Sequence, residues 1–353
     1  MVDSTHLWLP DAKTTRLDGA SLVDTLYRFP VTILLTGSLG SGKTTFLQGF
    51  GEALGITQKL TSPTYALEQR YKTQHHGELL HIDLYRLTPK EALHLVSASE
   101  QHRGIRCIEW ADRLPPDGRD DGDISVALEE GPNGEGRMLQ VSFDDIALPS
   151  LDQVSAWREE FHLPHLIGRH CDQVAQTAVR LAEAYQQRGC IVRLGALRAA
   201  GWVHDLLRFV DFHRGAGHIA GESNPLHERT WAEVKAQYPG LRHEAAAAQF
   251  LTGQGYPELG EIVRVHGLTL IRSASQGASE GQALAGSRRV TIEQKLLYYA
   301  DKRVKIDEVV SLEERLRDFT ERYSRNGYLA ESDAWYQEAR KTERDLFPTG
   351  VPF

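Results

Sequence analysis

The chain has 353 residues, 41% hydrophobic and 25% charged, which excludes a disordered, collagen-like or fibrous protein and leaves room for two globular domains. Acidic residues outnumber basic ones 48 to 40, for a net charge of −8. No global positive field recruits nucleic acid or anionic lipid, so any RNA contact is at most indirect or confined to a local patch. Cys107, Cys171 and Cys190 form no CxxC pair, and the start MVDSTHLWLPDAK is no basic-then-apolar leader. The expectation is a cytoplasmic protein in reducing surroundings, without signal peptide or membrane span.

In chain order, β-rich runs alternate with helical ones over residues 1–148, the pattern of an α/β domain with a central sheet flanked by helices. Val31–Thr36 (VTILLT) predicts a buried strand. A helix over 43–54 follows, with Phe46, Leu47, Phe50 and Leu54 on one face. Strands are expected at Glu78–Asp83 and 106–110, and a hairpin at 124–128 with Arg137–Phe143 around the turn-rich EEGPNGEG. After a boundary near 146–154, Ala, Leu, Glu and Arg-rich segments predict an all-α domain over 155–345. Within it, 273–288 (SASQGASEGQALAGSR) has the composition of a mobile loop, and 306–323 predicts a helix packing one face on that domain.

Gly37-Ser38-Leu39-Gly40-Ser41-Gly42-Lys43-Thr44 matches GxxxxGKS/T in full, directly after a strand and before a helix, with Thr45 next. Glycines let the backbone curl so that successive amides point inward, and the helix adds its positive N-terminal end, so the pattern predicts a cradle for the phosphates of ATP. Lys43 is expected on the β and γ phosphates and the Thr44 hydroxyl on Mg²⁺. The plain alternative, a glycine-rich turn, gives no reason for Lys-Thr at this place. Such a site needs carboxylates at neighbouring strand ends, and Asp83 closes LLHID while Glu109 closes RCIE.

The series GSLGSGKTTF, LTSPTYAL, LHIDLYRL and CIEWADRLP resembles the TsaE family, the small ATPase of bacterial tRNA threonylcarbamoyladenosine synthesis, over roughly residues 13–145. The resemblance implies a P-loop NTPase fold, a switch-like segment at Thr61, Ser62, Pro63 and Thr64 near the γ-phosphate, Asp83 and Glu109 in the metal and water positions, and Trp110 close by. It also implies a partner, the two-subunit threonylcarbamoyl-transferase complex (TsaD/TsaB-like). After DLYR the sequence departs from the family, reading LTPKEALHLVSASEQHRGI where an acidic, aromatic stretch is usual. A kinase transferring phosphate to a small acceptor is the alternative.

The second half carries an ordered series of metal-ligating types: His170, His204-Asp205, His243, His266 and Asp301. Each lies in line with apolar helix positions, as Leu197, Ala200 and Gly201 do for His204. A lone histidine would be an ordinary core residue; six in order suit Fe, Mn, Ni, Zn or Mg. The series resembles the HD superfamily of metal-dependent phosphohydrolases over roughly residues 160–325. That resemblance implies His170, His204, Asp205 and Asp301 as core ligands, with His243 and His266 as the extra histidines of two-metal members. The expected substrate is a nucleotide or small phosphate ester, with Arg208 as a phosphate contact and Lys302 and Arg303 as further candidates. His213, His218 and His227 read as loop histidines. A two-iron oxygenase, or a metal-stabilised module that regulates the ATPase, are the competing readings.

Overall fold

A computed structural model of the protein describes residues 3–115, 124–212, 224–267, 290–323 and 329–353. The segment 273–288, His213 and His218 lie outside the described residues. The chain divides into two compact units, one of Met1–Ile146 with Tyr185–Gly195, the other of Ala147–Ala184 with Ala196–Phe353.

The first unit is a mixed α/β sheet with flanking helices. Its strands are β1 (Asp3–Leu9), β2 (Val31–Thr36), β3 (Glu68–Lys72), β4 (Glu78–Asp83), β5 (Ile105–Glu109), β6 (Ile124–Glu130) and β7 (Arg137–Phe143), in the order β1-β7-β6-β2-β5-β4-β3. The central pairs are parallel and the edges antiparallel. Parallel strands covered on both faces need continuous apolar runs, and VTILLT is one. Ile33 and Leu35 face α2 (Lys43–Ala53) through Phe46, Leu47 and Phe50, whereas Leu34 joins Leu80, Ile82 and Ile108 beneath α3 (Pro89–Ala98).

Four elements lie outside the expected set: β1, β3, α3, which a Thr88–Glu91 capping box opens, and α1 (Ala12–Leu22). Helix α1 is polar (AKTTRLDGASL) yet starts cleanly, because Asp11 caps the Thr14 amide at 2.7 Å. It meets α2 backbone to backbone. A Cβ at Gly19 would lie 2.0 Å from Phe46 O, and one at Gly49 1.8 Å from Arg16 O. Strand β5 ends one residue before the expected 110, since Trp110 turns into the left-handed region at φ 61°.

Tyr185–Gly195 returns to this unit from beyond the boundary. Thr5 donates to Val192 O at 2.6 Å, the Gly195 amide to Asp3 at 2.7 Å, and the Ile191 amide to Ser21 at 3.0 Å. Fully buried Arg193 makes a bidentate pair with Asp145 at 2.5 and 2.9 Å and lies 4.1 Å over the Phe143 ring.

The second unit comprises α4 (Leu151–Glu160), α5 (His165–Gln186), α6 (Leu194–Val203), α7 (Pro225–Gln237), α8 (His243–Gly253), α9 (Pro257–Arg264), α10 (Ile292–Lys302), α11 (Leu312–Tyr323) and α12 (Leu329–Leu346). The expected helix over 306–323 is corrected at its start. Val304–Lys305 (β8) and Glu308–Val309 (β9) form a short hairpin, Ile306 turns it at φ 61°, and the helix begins only at Leu312. So the all-α expectation for 155–345 misses one small hairpin. No helix among the described residues is long and apolar enough to cross a membrane.

Candidate functional site

In the first unit, β2 delivers the chain into the loop 37–42 and α2 takes it away. Gly37, Gly40 and Gly42 have φ of 133°, 79° and 106°, conformations that side chains oppose. At Gly37 a Cβ would also meet Leu128 O at 2.2 Å. Leu39 and Gly40 form the open crest; Ser41 is buried, with its hydroxyl unpartnered among the described residues. Lys43 folds back over the loop, donating to Gly37 O at 2.8 Å and Ser38 O at 3.0 Å, with Nζ 3.8 Å from the Trp110 ring centroid. Burial pushes its ammonium below the usual lysine range, against the pull of Glu109, Asp112 and Asp83. On α2, Thr44 and Thr45 stay half-buried beside Lys43.

Sheet register sets the carboxylates. Asp83 pairs with Glu109 across β4 and β5, and Leu35 with Glu109 across β2 and β5, so both acids end beside the loop. Thr44 Oγ1 donates to Glu109 at 2.9 Å to Oε1 and 3.2 Å to Oε2. Asp83 accepts from Ser62 at 2.6 Å, Thr64 at 2.7 Å and the Tyr85 amide at 2.9 Å. The Thr61–Thr64 stretch is therefore tied to Asp83, through two hydroxyls, and not to the loop. A hydroxyl with a carboxylate at one point is a hard-oxygen set suited to Mg²⁺. The sequence reading passed over His81, whose Nε2 lies 2.9 Å from Glu109 Oε1. Its place two residues before Asp83, on the same strand face, was the available signal.

In the second unit the six ordered ligand types converge from five places: His170 on α5, His204-Asp205 just past α6, His243 opening α8, His266 just past α9 and Asp301 on α10. His170 Nε2 is 3.0 Å from Asp301 Oδ1, and His204 Nε2 is 3.8 Å from the same oxygen. His243 Nε2 is 3.0 Å, and His266 Nε2 3.6 Å, from Asp205 Oδ1. Ligand atoms of His170, His204 and Asp205, and of Asp205, His243 and His266, make two groups in which all lie within 4.8 Å of one another.

The other ring nitrogens explain the orientation. His170 Nδ1 faces Ile306 O at 3.0 Å, His204 Nδ1 faces Gly201 O at 2.8 Å, and His266 Nδ1 faces Val263 O at 2.6 Å. A carbonyl only accepts, so each of these Nδ1 atoms carries a proton, which leaves Nε2 as the nitrogen that would ligate a metal. His243 Nδ1 does the same to Asp211 at 2.6 Å. His243 Nε2 and His266 Nε2 then face each other at 3.2 Å, and buried His204 Nε2 has no partner among the described residues. Imidazole nitrogens and carboxylate oxygens gathered within 4.8 Å of one another are a ligand set that fits a divalent metal.

The charges agree. Burial would raise Asp205, but Arg208, His204 and His243 hold it well below the usual carboxylate range. Burial likewise opposes Asp301, which Lys302, His170 and His204 keep far down. Burial presses the His204 imidazole down to about 4, so it stays neutral at pH 7. Arg208 Nη1 lies 2.9 Å from both nitrogens of His243. Lys302 pairs with Asp301. Arg303 departs from its expected phosphate role: buried, it donates to Tyr299 OH, Val310 O and Phe353 O, which braces the fold. His227 stacks on His162 at 4.6 Å. Asp211 and Glu244, not singled out from sequence, line the outer side of His243 at 2.6 and 3.3 Å.

A β-strand, a glycine-rich loop opening a helix, Lys-Thr at its start and acids at the adjoining strand ends are together consistent with a P-loop NTPase. The family model for "Threonylcarbamoyl adenosine biosynthesis protein TsaE" matches residues 9–138. The tRNA threonylcarbamoyladenosine biosynthesis protein TsaE of Nostoc sp. is 43% identical over 116 residues, covering 31% of this chain and 70% of that protein. Its counterpart in Synechocystis sp. is 37% identical over 118 residues, covering 32% and 74%. A crystal structure of Bacillus subtilis YdiB aligns with TM-score 0.32 and 22% identity, over 41% of this chain and 88% of that one. The chain belongs to the TsaE family.

Proposed function

We propose that the protein is a two-site cytoplasmic enzyme: an ATPase over 1–148 that supports threonylcarbamoyladenosine modification of tRNA, and an HD-type metal-dependent phosphohydrolase over 155–345. The names of the Nostoc and Synechocystis relatives support the tRNA role, with a TsaD/TsaB-like transferase complex as the ATPase's partner.

For ATP hydrolysis, the amides of 37–42 and the N-terminus of α2 cradle the phosphates, and Lys43 exchanges its two loop carbonyls for phosphate oxygens. Thr44 and Glu109 would hold Mg²⁺, with Asp83 beside them; Ser62 and Thr64 hold Asp83 and would lie near the γ-phosphate. Trp110 covers Lys43 and limits its access to water. The observation that carries this reading is the meeting of Thr44 and Glu109 at the mouth of the glycine loop.

In the HD half, the convergence of four Nε2 atoms and two carboxylates supports a one- or two-metal centre held by His170, His204, Asp205, His243, His266 and Asp301. Bound divalent ions there would supply an acidified water for attack on phosphorus. Arg208 would orient a substrate phosphate, and Asp205, kept ionised by Arg208, His204 and His243, would offer its carboxylate to the metal.

One experiment tests both halves. The purified protein is assayed for ATP binding by calorimetry, for metal content, and for phosphate release from nucleotides and phosphate esters. We expect Lys43→Ala to abolish ATP binding while leaving metal content intact, and Asp205→Ala to do the reverse. Unchanged ATP binding in the first variant refutes the ATPase reading; unchanged metal content in the second refutes the metal centre.

A further inference from the structure

We propose that His81 is a positioning residue that fixes the Glu109 carboxylate for the metal of the ATP site. The inference rests on the reading of the first unit as a Mg²⁺-dependent ATP site.

Along β4, side chains alternate, so His81 and Asp83 share one face; the parallel register sets His81 beside Cys107 and Asp83 beside Glu109. His81 therefore stands one step behind the two acids, inside the sheet. It is fully buried, and its Nε2 is 2.9 Å from Glu109 Oε1. The carboxylate can only accept, so Nε2 carries the proton. Nδ1 is then a buried acceptor, unpartnered among the described residues. Leaving such a group unsatisfied is a cost that a leucine in this apolar strand would avoid. What the imidazole contributes in return is one hydrogen bond, and that bond falls on Glu109.

The bond matters because Glu109 is itself buried, 2% exposed, and among the described residues its carboxylate's other hydrogen-bond donor is the Thr44 hydroxyl. One donor leaves a carboxylate free to rotate about its Cγ–Cδ bond. Two donors on Oε1, both at 2.9 Å, fix the carboxylate plane and keep the second oxygen turned to the loop where Thr44 presents its own. Outer partners of this kind hold a ligand in the geometry that a small, strict cation requires.

The test uses the full chain with a nonhydrolysable ATP analogue. Mn²⁺ affinity in its presence is read by electron paramagnetic resonance, and metal-free analogue affinity by calorimetry. His81→Leu removes the donor and preserves packing, whereas His81→Gln returns an N–H near the position of Nε2. We expect His81→Leu to weaken Mn²⁺ by about 10–100-fold while metal-free analogue affinity stays within about twofold, and His81→Gln to recover most of the loss. Hydrogen exchange across β4 and β5 checks that each variant is folded. Equal Mn²⁺ affinity in wild type and His81→Leu overturns the proposal. So does an equal loss of Mn²⁺ and analogue, or a folded His81→Gln no better than His81→Leu. A wild type that binds no analogue at all removes instead the ATP-site reading beneath it.

Discussion

Asp18 provides the sharpest test of the energetics of the first unit. It lies on α1 with its carboxylate fully buried, and neither oxygen has a hydrogen-bond partner among the described residues. Gly189 covers it closely enough that a Cβ there would be 3.3 Å from Oδ1. Desolvation raises the carboxyl from 3.8 to about 7. Because the folded state holds the proton more tightly than the unfolded chain, this group's contribution is most favourable below about pH 4. It declines as pH rises through the window from 3.8 to about 7, and is fully lost above it. At about 1.4 kcal/mol per pH unit, the whole window is worth about 4 kcal/mol.

Asp18→Asn removes the titration and keeps the shape, but its amide brings N–H groups that also lack partners, at about 1–3 kcal/mol. We therefore expect Asp18→Asn to be no more stable than wild type at pH 5, and to gain on it by about 2–3 kcal/mol between pH 5 and pH 8. Hydrogen exchange of α1 peptides, measured in urea at four pH values, isolates this unit from the other. Parallel pH profiles for variant and wild type would refute the argument, since they would mean that the native carboxylate is already ionised at no cost.

Two further outcomes follow from the geometry. Arg193→Met should destabilise the first unit by about 3–5 kcal/mol by stranding the Asp145 carboxylate, and adding Asp145→Leu should recover much of that loss in urea unfolding; strict additivity would show that the pair is not coupled. Gly37→Ala places a methyl 2.2 Å from Leu128 O at φ 133°, so ATP affinity by calorimetry should fall by at least about tenfold, an effect expected of strain in the loop.

The loop and the ligand series were legible because their signals are local. VTILLT followed by GSLGSGKT states a strand, a tight turn and a helix start within fourteen residues of chain. His170, His243 and Asp301 sit on helices and His204, Asp205 and His266 just past helix ends, each in line with an apolar stripe that its helix turns inward.

What the sequence by itself determined, then, was the chemistry available at each strand end and helix end. Tertiary structure alone decided the partners. Thr5 and Val192 are 187 positions apart, and no periodicity announces that Tyr185–Gly195 would close the first unit or that Arg193 would meet Asp145. The proton positions of the metal-type histidines depend on Ile306 O, Gly201 O and Val263 O, and backbone carbonyls look alike at every residue. His81 reads as an ordinary strand residue until the β4–β5 register sets it beside Cys107, from where its Nε2 reaches Glu109 at 2.9 Å. Local propensity is written in neighbouring residues, whereas register and long-range pairing are settled only when the whole core is buried at once.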